Sequence, residues 1–380
     1  MKRFLFTVGF SLLALAVTQT AAAQESDTRA TQKFGIAQVI SIESEHEEHT
    51  MDIPRTVQRV HLRMISGIDT GKEWTLDNAV LNEREDMRLR VGGKVIVEKM
   101  EKVDGSVTYI VRETYRLGSL VALIIFFFIL TLLFGGITGL RSFLGLALSG
   151  AILVFFVVPK IVSGSDPLFI SLIAAIFIAC TSLYLAHGFN RRTSVALLST
   201  LVTLIISVVL AIVFVRIAKI FGMGTEEAMY LQMGMLSNVD LRGLLLGGII
   251  IGSLGVLDDV TTAQTAAIGE VSRANPKLNF AQLYKSGFAV GREHIASLIN
   301  TLALAYVGAS FPLLLLLQSN SNWPLWVTLN SEFMAEEVIR TLVGSCTLLF
   351  AVPISTWFAA WYFQNGRRNS KGSSHTHVHA

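Results

Sequence analysis

Residues 243–257, GLLLGGIIIGSLGVL, form an uncharged run of 15 that ends in Asp258-Asp259 and continues as VTTAQTAAIGEV, residues 260–271. A helix needs about 20 apolar residues to cross a bilayer, so this run is too short to cross alone. To span, it must carry both aspartates to the bilayer boundary or slightly inside it. Whether a bilayer is involved is decided by six other runs without Asp, Glu, Lys or Arg: 118–137, 142–159, 167–187, 193–215, 295–317 and 341–363, each 18 residues or longer. The expectation is an α-helical polytopic membrane domain, residues 117–363, with about seven transmembrane helices.

Composition agrees. The chain is 52% hydrophobic and only 16% charged, against about 25% charged in an ordinary soluble domain. The charge is also segregated, since residues 24–117 hold more than half of it. With a net charge of +3 and no basic run, nucleic acid is not an expected partner; the lipid bilayer is. The first 23 residues read as a secretory signal: Lys2-Arg3, an apolar core from Phe4 to Val17, and Ala21-Ala22-Ala23 before Gln24. Both cysteines, Cys180 and Cys346, lie in apolar runs, so the polar front module has no disulfide to draw on.

Orientation follows from the basic residues between runs. With the front module exported, ten Lys/Arg fall on the cytoplasmic side and five outside, as the positive-inside rule requires. The expectation is a bacterial plasma-membrane protein with residues 24–116 extracytoplasmic and the C-terminal tail, 364–380, disordered in the cytoplasm.

The front module carries strand signals. Phe34–Ile42, Val57–Ile65 and Val95–Met100 alternate apolar and polar residues, and Asp69-Thr-Gly-Lys, Gly92-Gly93 and Asp104-Gly105 are turn sequences. A small β-barrel or sandwich is expected. Glu45-His46-Glu47-Glu48-His49 lacks the H-E-x-x-H spacing and reads as a solvated strand end or loop, and His375, His377 and His379 read as part of a disordered tail. No metal or other cofactor is expected.

If residues 243–273 are one helix, Asp259, Thr262, Ala266 and Glu270 share a face, and Asp258, Thr261 and Thr265 form a neighbouring stripe. Gly243/Gly247 and Gly248/Gly252 are small-xxx-small pairs that admit a close neighbour. An acid held in the membrane costs roughly 2.5–3.5 kcal/mol, which points to a polar cavity visited by a cation or a proton. Arg292-Glu293-His294 opens the sixth run, and Asn300 lies inside it, where a buried amide must find partners. A His294 relay to Asp259 is one arrangement; a solvated interfacial histidine is the other. Phe280, Leu283, Tyr284 and Phe288 suit an amphipathic helix lying on the membrane surface. The candidate transport or cation-binding residues are Asp259, Asp258, Glu270, Thr262, Gln264, Arg292, Glu293 and Asn300.

Three stretches carry a resemblance: Gly252 to Val271, Lys285 to Glu293, and Asn300-Thr-Leu-Ala-Leu-Ala-Tyr-Val-Gly. They are similar to the YibE/F-like membrane proteins of bacteria, most strongly over residues 240–318. The resemblance implies a polytopic bacterial membrane protein with an exported β-module. It aligns the family's acid with Asp259 and its later glutamate with Glu270, and it supplies no reaction. No enzyme is expected. Adjacent aspartates on a helix diverge by about 100° and cannot form a facing dyad, and Thr262 stands where D-D-x-x-D needs its last acid. Two functions are weighed: a proton- or cation-coupled transporter of a small solute or ion, and a membrane scaffold or sensory component whose β-module binds a partner.

Overall fold

The computed structural model describes residues 33–50, 53–67, 69–81, 88–101, 106–234, 236–312, 314–315 and 324–373. The expected signal segment, the expected turn at Asp104-Gly105, His375, His377 and His379 lie outside the described residues. Two compact units emerge, one covering residues 22–130 and the other residues 131–380.

The first unit is built on an antiparallel sheet of five strands: β1 (Lys33–Thr50), β2 (Ile53–Gly67), β3 (Glu73–Leu81), β4 (Lys94–Glu101) and β5 (Val107–Thr114), in the order β3-β2-β1-β4-β5. The three alternating stretches fall on β1, β2 and β4. Alternation turns Ala37, Val39, Val60, Leu62, Met64, Val95 and Val97 to one face, where they form the core with Leu89. β1 pairs along its length with β2 and by its first residues with β4, and three register shifts against β2 bend it. Gly35 lies at this bend, where a Cβ would sit 2.6 Å from Met64 Sδ. The turn between β2 and β3 has Asp69 at φ 51° and Gly71 at φ 88°, as its Asp-Thr-Gly sequence suggests.

The ends of the strand order, β3 and β5, meet through side chains. Trp74 stacks on Tyr109 at 4.5 Å between ring centroids. The Tyr109 hydroxyl donates to Asp69 at 2.7 Å, and Lys99 pairs with the same carboxylate at 2.9 Å. These contacts hold the Asp69 carboxyl below its ordinary value, the Tyr109 hydrogen bond contributing most. Glu45, within the acidic-histidine stretch, pairs with Arg88 at 2.9 Å and accepts from Gln58. That stretch is part of β1, paired with β2.

The second unit is helical. α1 (Leu117–Ile152, extended by a π turn, Leu153–Val157, and a last helical turn, Val158–Val162) enters it at Thr131. α2 (Pro167–His187), α3 (Arg191–Ile217), α4 (Glu226–Met233), α5 (Leu241–Ala274), α6 (Phe280–Ala309), α7 (Leu325–Leu329) and α8 (Glu332–Ser373) follow. Asp166, Asn190, Thr225, Asp240 and Asn279 each accept a first-turn amide as N-caps of α2 to α6.

Among the described residues, five helices are long and apolar enough to cross a membrane: Leu117–Val162, Pro167–His187, Arg191–Ile217, Leu241–Ala274 and Glu332–Asn365. This is fewer than the seven expected spans for two reasons. The first two uncharged runs share α1, which bends near the end of the first at Gly136 (φ 54°, ψ −138°), a conformation open in practice only to glycine. Residues 295–309 of the sixth run form the second half of α6, whose first half carries Lys285, Arg292 and Glu293. That first half does not form a separate surface helix. Leu283 is fully buried against Ile268, Ala359 and Ala360, because Gly287 and Gly291 let α6 close onto α5 and α8. α8 stays helical to Ser373, ten residues into the expected tail. Cys180 and Cys346 are free thiols.

Candidate functional site

α5 packs against α2, α3, α6 and α8. α2 runs parallel to it, Gly243 facing Pro167, Gly247 facing Ser171 and Asp258 facing Ser182. A Cβ at Gly247 would collide with the Ser171 hydroxyl, so the first small-xxx-small pair is what admits α2. α3 runs antiparallel, with Thr200 opposite Thr261 and Ala211 and Val215 packed near Leu245 and Ile249. α8 runs parallel, Val343 near Leu245 and Thr356 bonded to Gln264.

Asp258 lies half-buried on the α2 side. Ser182 lies beside its carboxyl, while Oδ1 is buried with no hydrogen-bond partner among the described residues. One turn on, the Thr262 hydroxyl is also buried without a partner among the described residues. Asp259 is exposed on the outer surface of the unit, and His187, at the end of α2, lies within electrostatic reach of it without a hydrogen bond or ion pair among the described residues. His294 is exposed on α6. The histidine with an electrostatic influence on Asp259 is thus the last residue of α2 and not His294.

The neighbouring stripe turns inward. Thr261 is fully buried, donates to Leu257 O at 2.9 Å and lies 2.7 Å from the Thr200 hydroxyl. Gln264 donates to Gly287 O at 2.7 Å and to Thr356 Oγ1 at 2.8 Å, tying α5 to α6 and α8. Its amide nitrogen is thus committed to structure. Three further hydroxyls in these interfaces, Ser207, Ser253 and Thr265, are buried and without a partner among the described residues. Ser207 and Ser253 both lie about 11 Å beyond the Thr200–Thr261 pair along their antiparallel helices, so the orphaned groups occur at two depths. Each buried unmade hydrogen bond costs roughly 1–3 kcal/mol. Such a concentration is a polar interior that water or a cation would relieve.

The eight predicted residues separate into two sets. Asp258, Thr262 and Gln264 enter helix interfaces. Asp259, Glu270, Arg292, Glu293 and Asn300 lie on the exposed surface, and Glu270 is paired with Arg273 at 2.5 Å. Ser182, His187, Thr200 and Thr356 were not among the predictions. For α3 a signal existed: Ser199, Thr200, Thr203 and Ser207 recur at helical spacing within an otherwise aliphatic run, and all four are buried. Ser182 and His187 had none, because only the parallel packing of α2 on α5 brings them to the aspartates.

No curated protein and no solved structure matches the chain. The sequence pattern of the YibE/F-like proteins matches residues 123–365, nearly the whole helical unit with every residue of the site, and the chain belongs to that family.

Proposed function

We propose that the protein is a proton- or cation-coupled transporter of a small solute or ion in the bacterial plasma membrane, with the Asp258 carboxylate as its coupling group. One observation carries this reading: a carboxylate oxygen without a protein partner, enclosed between two membrane helices beside the orphaned Thr262 hydroxyl. A permanently dry, unpaired acid there would destabilise the helix pair for no return. A site that alternately takes up and releases a proton or cation gives the group a use. In this reading the exported sheet closes as a small barrel along the Trp74–Tyr109 seam, the two arms of α1 and the second half of α6 complete seven spans, and no covalent chemistry is performed.

The placement of Asp259 favours a second reading. An acid on the outer surface, with Glu270, Arg292 and Glu293 similarly exposed, suits a scaffold that offers a charged rim to a partner. Ion and metabolite profiling of a deletion strain complemented with Asp258→Asn or Asp259→Asn separates the two. Transport predicts that Asp258→Asn reproduces the deletion profile at normal protein level and topology. A wild-type profile in that strain removes the coupling role.

A further inference from the structure

A cavity of about 550 Å³ opens at the opposite end of the unit, where α2 and α5 begin and α3 ends. Asp166, Arg216, Phe221, Asp240 and Arg242 line it. Counting charges makes it neutral; counting hydrogen bonds does not. Asp166 accepts Phe169 N at 2.7 Å and Asp240 accepts Arg242 N at 3.1 Å, so both carboxylates already serve as helix caps. Arg242 donates through Nε to Ile220 O at 2.8 Å, and its guanidinium carbon lies 5.1 Å from the centroid of the Phe221 ring. The carbonyl bond and the ring fix the guanidinium plane and leave both Nη groups unspent. The Arg216 guanidinium, in the last turn of α3, has no hydrogen-bond or ion-pair partner among the described residues. Among the described residues neither arginine has a carboxylate within 4.0 Å, although two carboxylates share the cavity. Gly243 keeps the space clear, since a Cβ there would lie 2.8 Å from Asp240 Oδ2.

We infer that this cavity is an oxyanion site in which Arg242 and Arg216 bind a phosphate group, carried either by a free solute or by a lipid headgroup. A planar guanidinium held at Nε presents its two Nη donors as a fork, and phosphate is a matching acceptor. The inference goes beyond the transport reading and does not depend on it, because binding here involves neither Asp258 nor movement of solute.

The test is thermal unfolding of the full chain in a neutral detergent, followed by a thiol-reactive dye at Cys180 and Cys346, with inorganic phosphate titrated at constant ionic strength. A parallel arm adds phosphatidylglycerol or phosphatidylcholine. Phosphate is expected to raise the midpoint of the wild type, and Arg242→Gln or Arg216→Gln to weaken the apparent affinity about tenfold or more, as loss of a charge-assisted bond does. Stabilisation by phosphatidylglycerol alone, with the same arginine dependence, identifies the headgroup as the source. Arg216 is exposed, so its substitution carries the test if Arg242→Gln fails to fold. Asp258→Asn retains the response, which separates failure of this site from failure of the coupling role. Stabilisation by neither ligand, or stabilisation that survives both arginine substitutions, overturns the inference.

Discussion

Gln264→Ala is expected to destabilise the helical unit by about 2–3 kcal/mol. The side chain is 3% exposed and donates to two helices at once, to Gly287 O on α6 and Thr356 Oγ1 on α8. Hydrogen bonds between membrane helices are worth about 0.6 kcal/mol each on average, and up to about 1.7. Truncation strands no donor, since the Thr356 hydroxyl already donates to Val352 O at 2.6 Å. The two bonds therefore contribute about 1–2 kcal/mol together. Truncation also removes about 50 Å³ of packed volume, worth about 1.2 kcal/mol at 24 cal/mol per Å³ if the site does not collapse. Collapse is hindered because α6 already approaches through Gly291, whose added Cβ would lie 2.8 Å from Gln264 Nε2. Gln264→Met restores most of the volume and isolates the hydrogen-bond contribution, so it should cost about 1–2 kcal/mol. Reversible unfolding in mixed micelles measures both. If Gln264→Ala is as stable as the wild type, the amide does not tie the three helices together. If Gln264→Met costs as much as Gln264→Ala, the packing share is wrong.

Three further outcomes follow from the geometry. Gly247→Ala should separate α2 from α5 and lower the unfolding midpoint, while Gly248→Ala, with nothing within 4 Å of its Cβ, should not; thermal unfolding of the pair decides this. Gly136→Ala forces a side chain into the φ 54°, ψ −138° conformation and should cost about 1–3 kcal/mol, read by unfolding of the full chain. In the sheet, the Asp69 pKa is lowered by Tyr109 and Lys99, so its contribution is complete above the ordinary value of 3.8 and is lost as pH falls through the lowered one. Hydrogen exchange in β3 and β5 should accelerate in that acid window, and Asp69→Asn should show the faster exchange already at neutral pH.

Much of the architecture was legible because periodicity is local. The strands at Phe34, Val57 and Val95 and the turn at Asp69 follow from alternation and from residues that tolerate positive φ. The long-range pairing of β1 with both β2 and β4, and the approach of Trp74 to Tyr109, have no local signature. Helical geometry likewise separated Asp258 and Asp259 onto neighbouring stripes. It did not reveal which stripe faces inward, since that depends on where α2 and α3 pack. Weight therefore fell on Asp259, whereas the enclosed carboxylate belongs to Asp258. Gln264 was legible as a buried polar candidate, but its two partners lie 23 and 92 residues away. Glu270, Arg292 and Glu293 show the converse: charges close to a motif in sequence that the fold leaves on the surface.

The most direct measurement is the reactivity of single cysteines at positions 257, 258 and 259, with Cys180 and Cys346 replaced by alanine, towards a small cationic methanethiosulfonate in native membranes. Leu257 is 0% exposed and Asp259 is exposed, so they supply the unreactive and reactive limits. A hydrated cation site at Asp258 predicts that Leu257→Cys is inert while Asp258→Cys reacts. Asp258→Cys as inert as Leu257→Cys would mean that no water or cation reaches the enclosed carboxylate, and the coupling role would go with it.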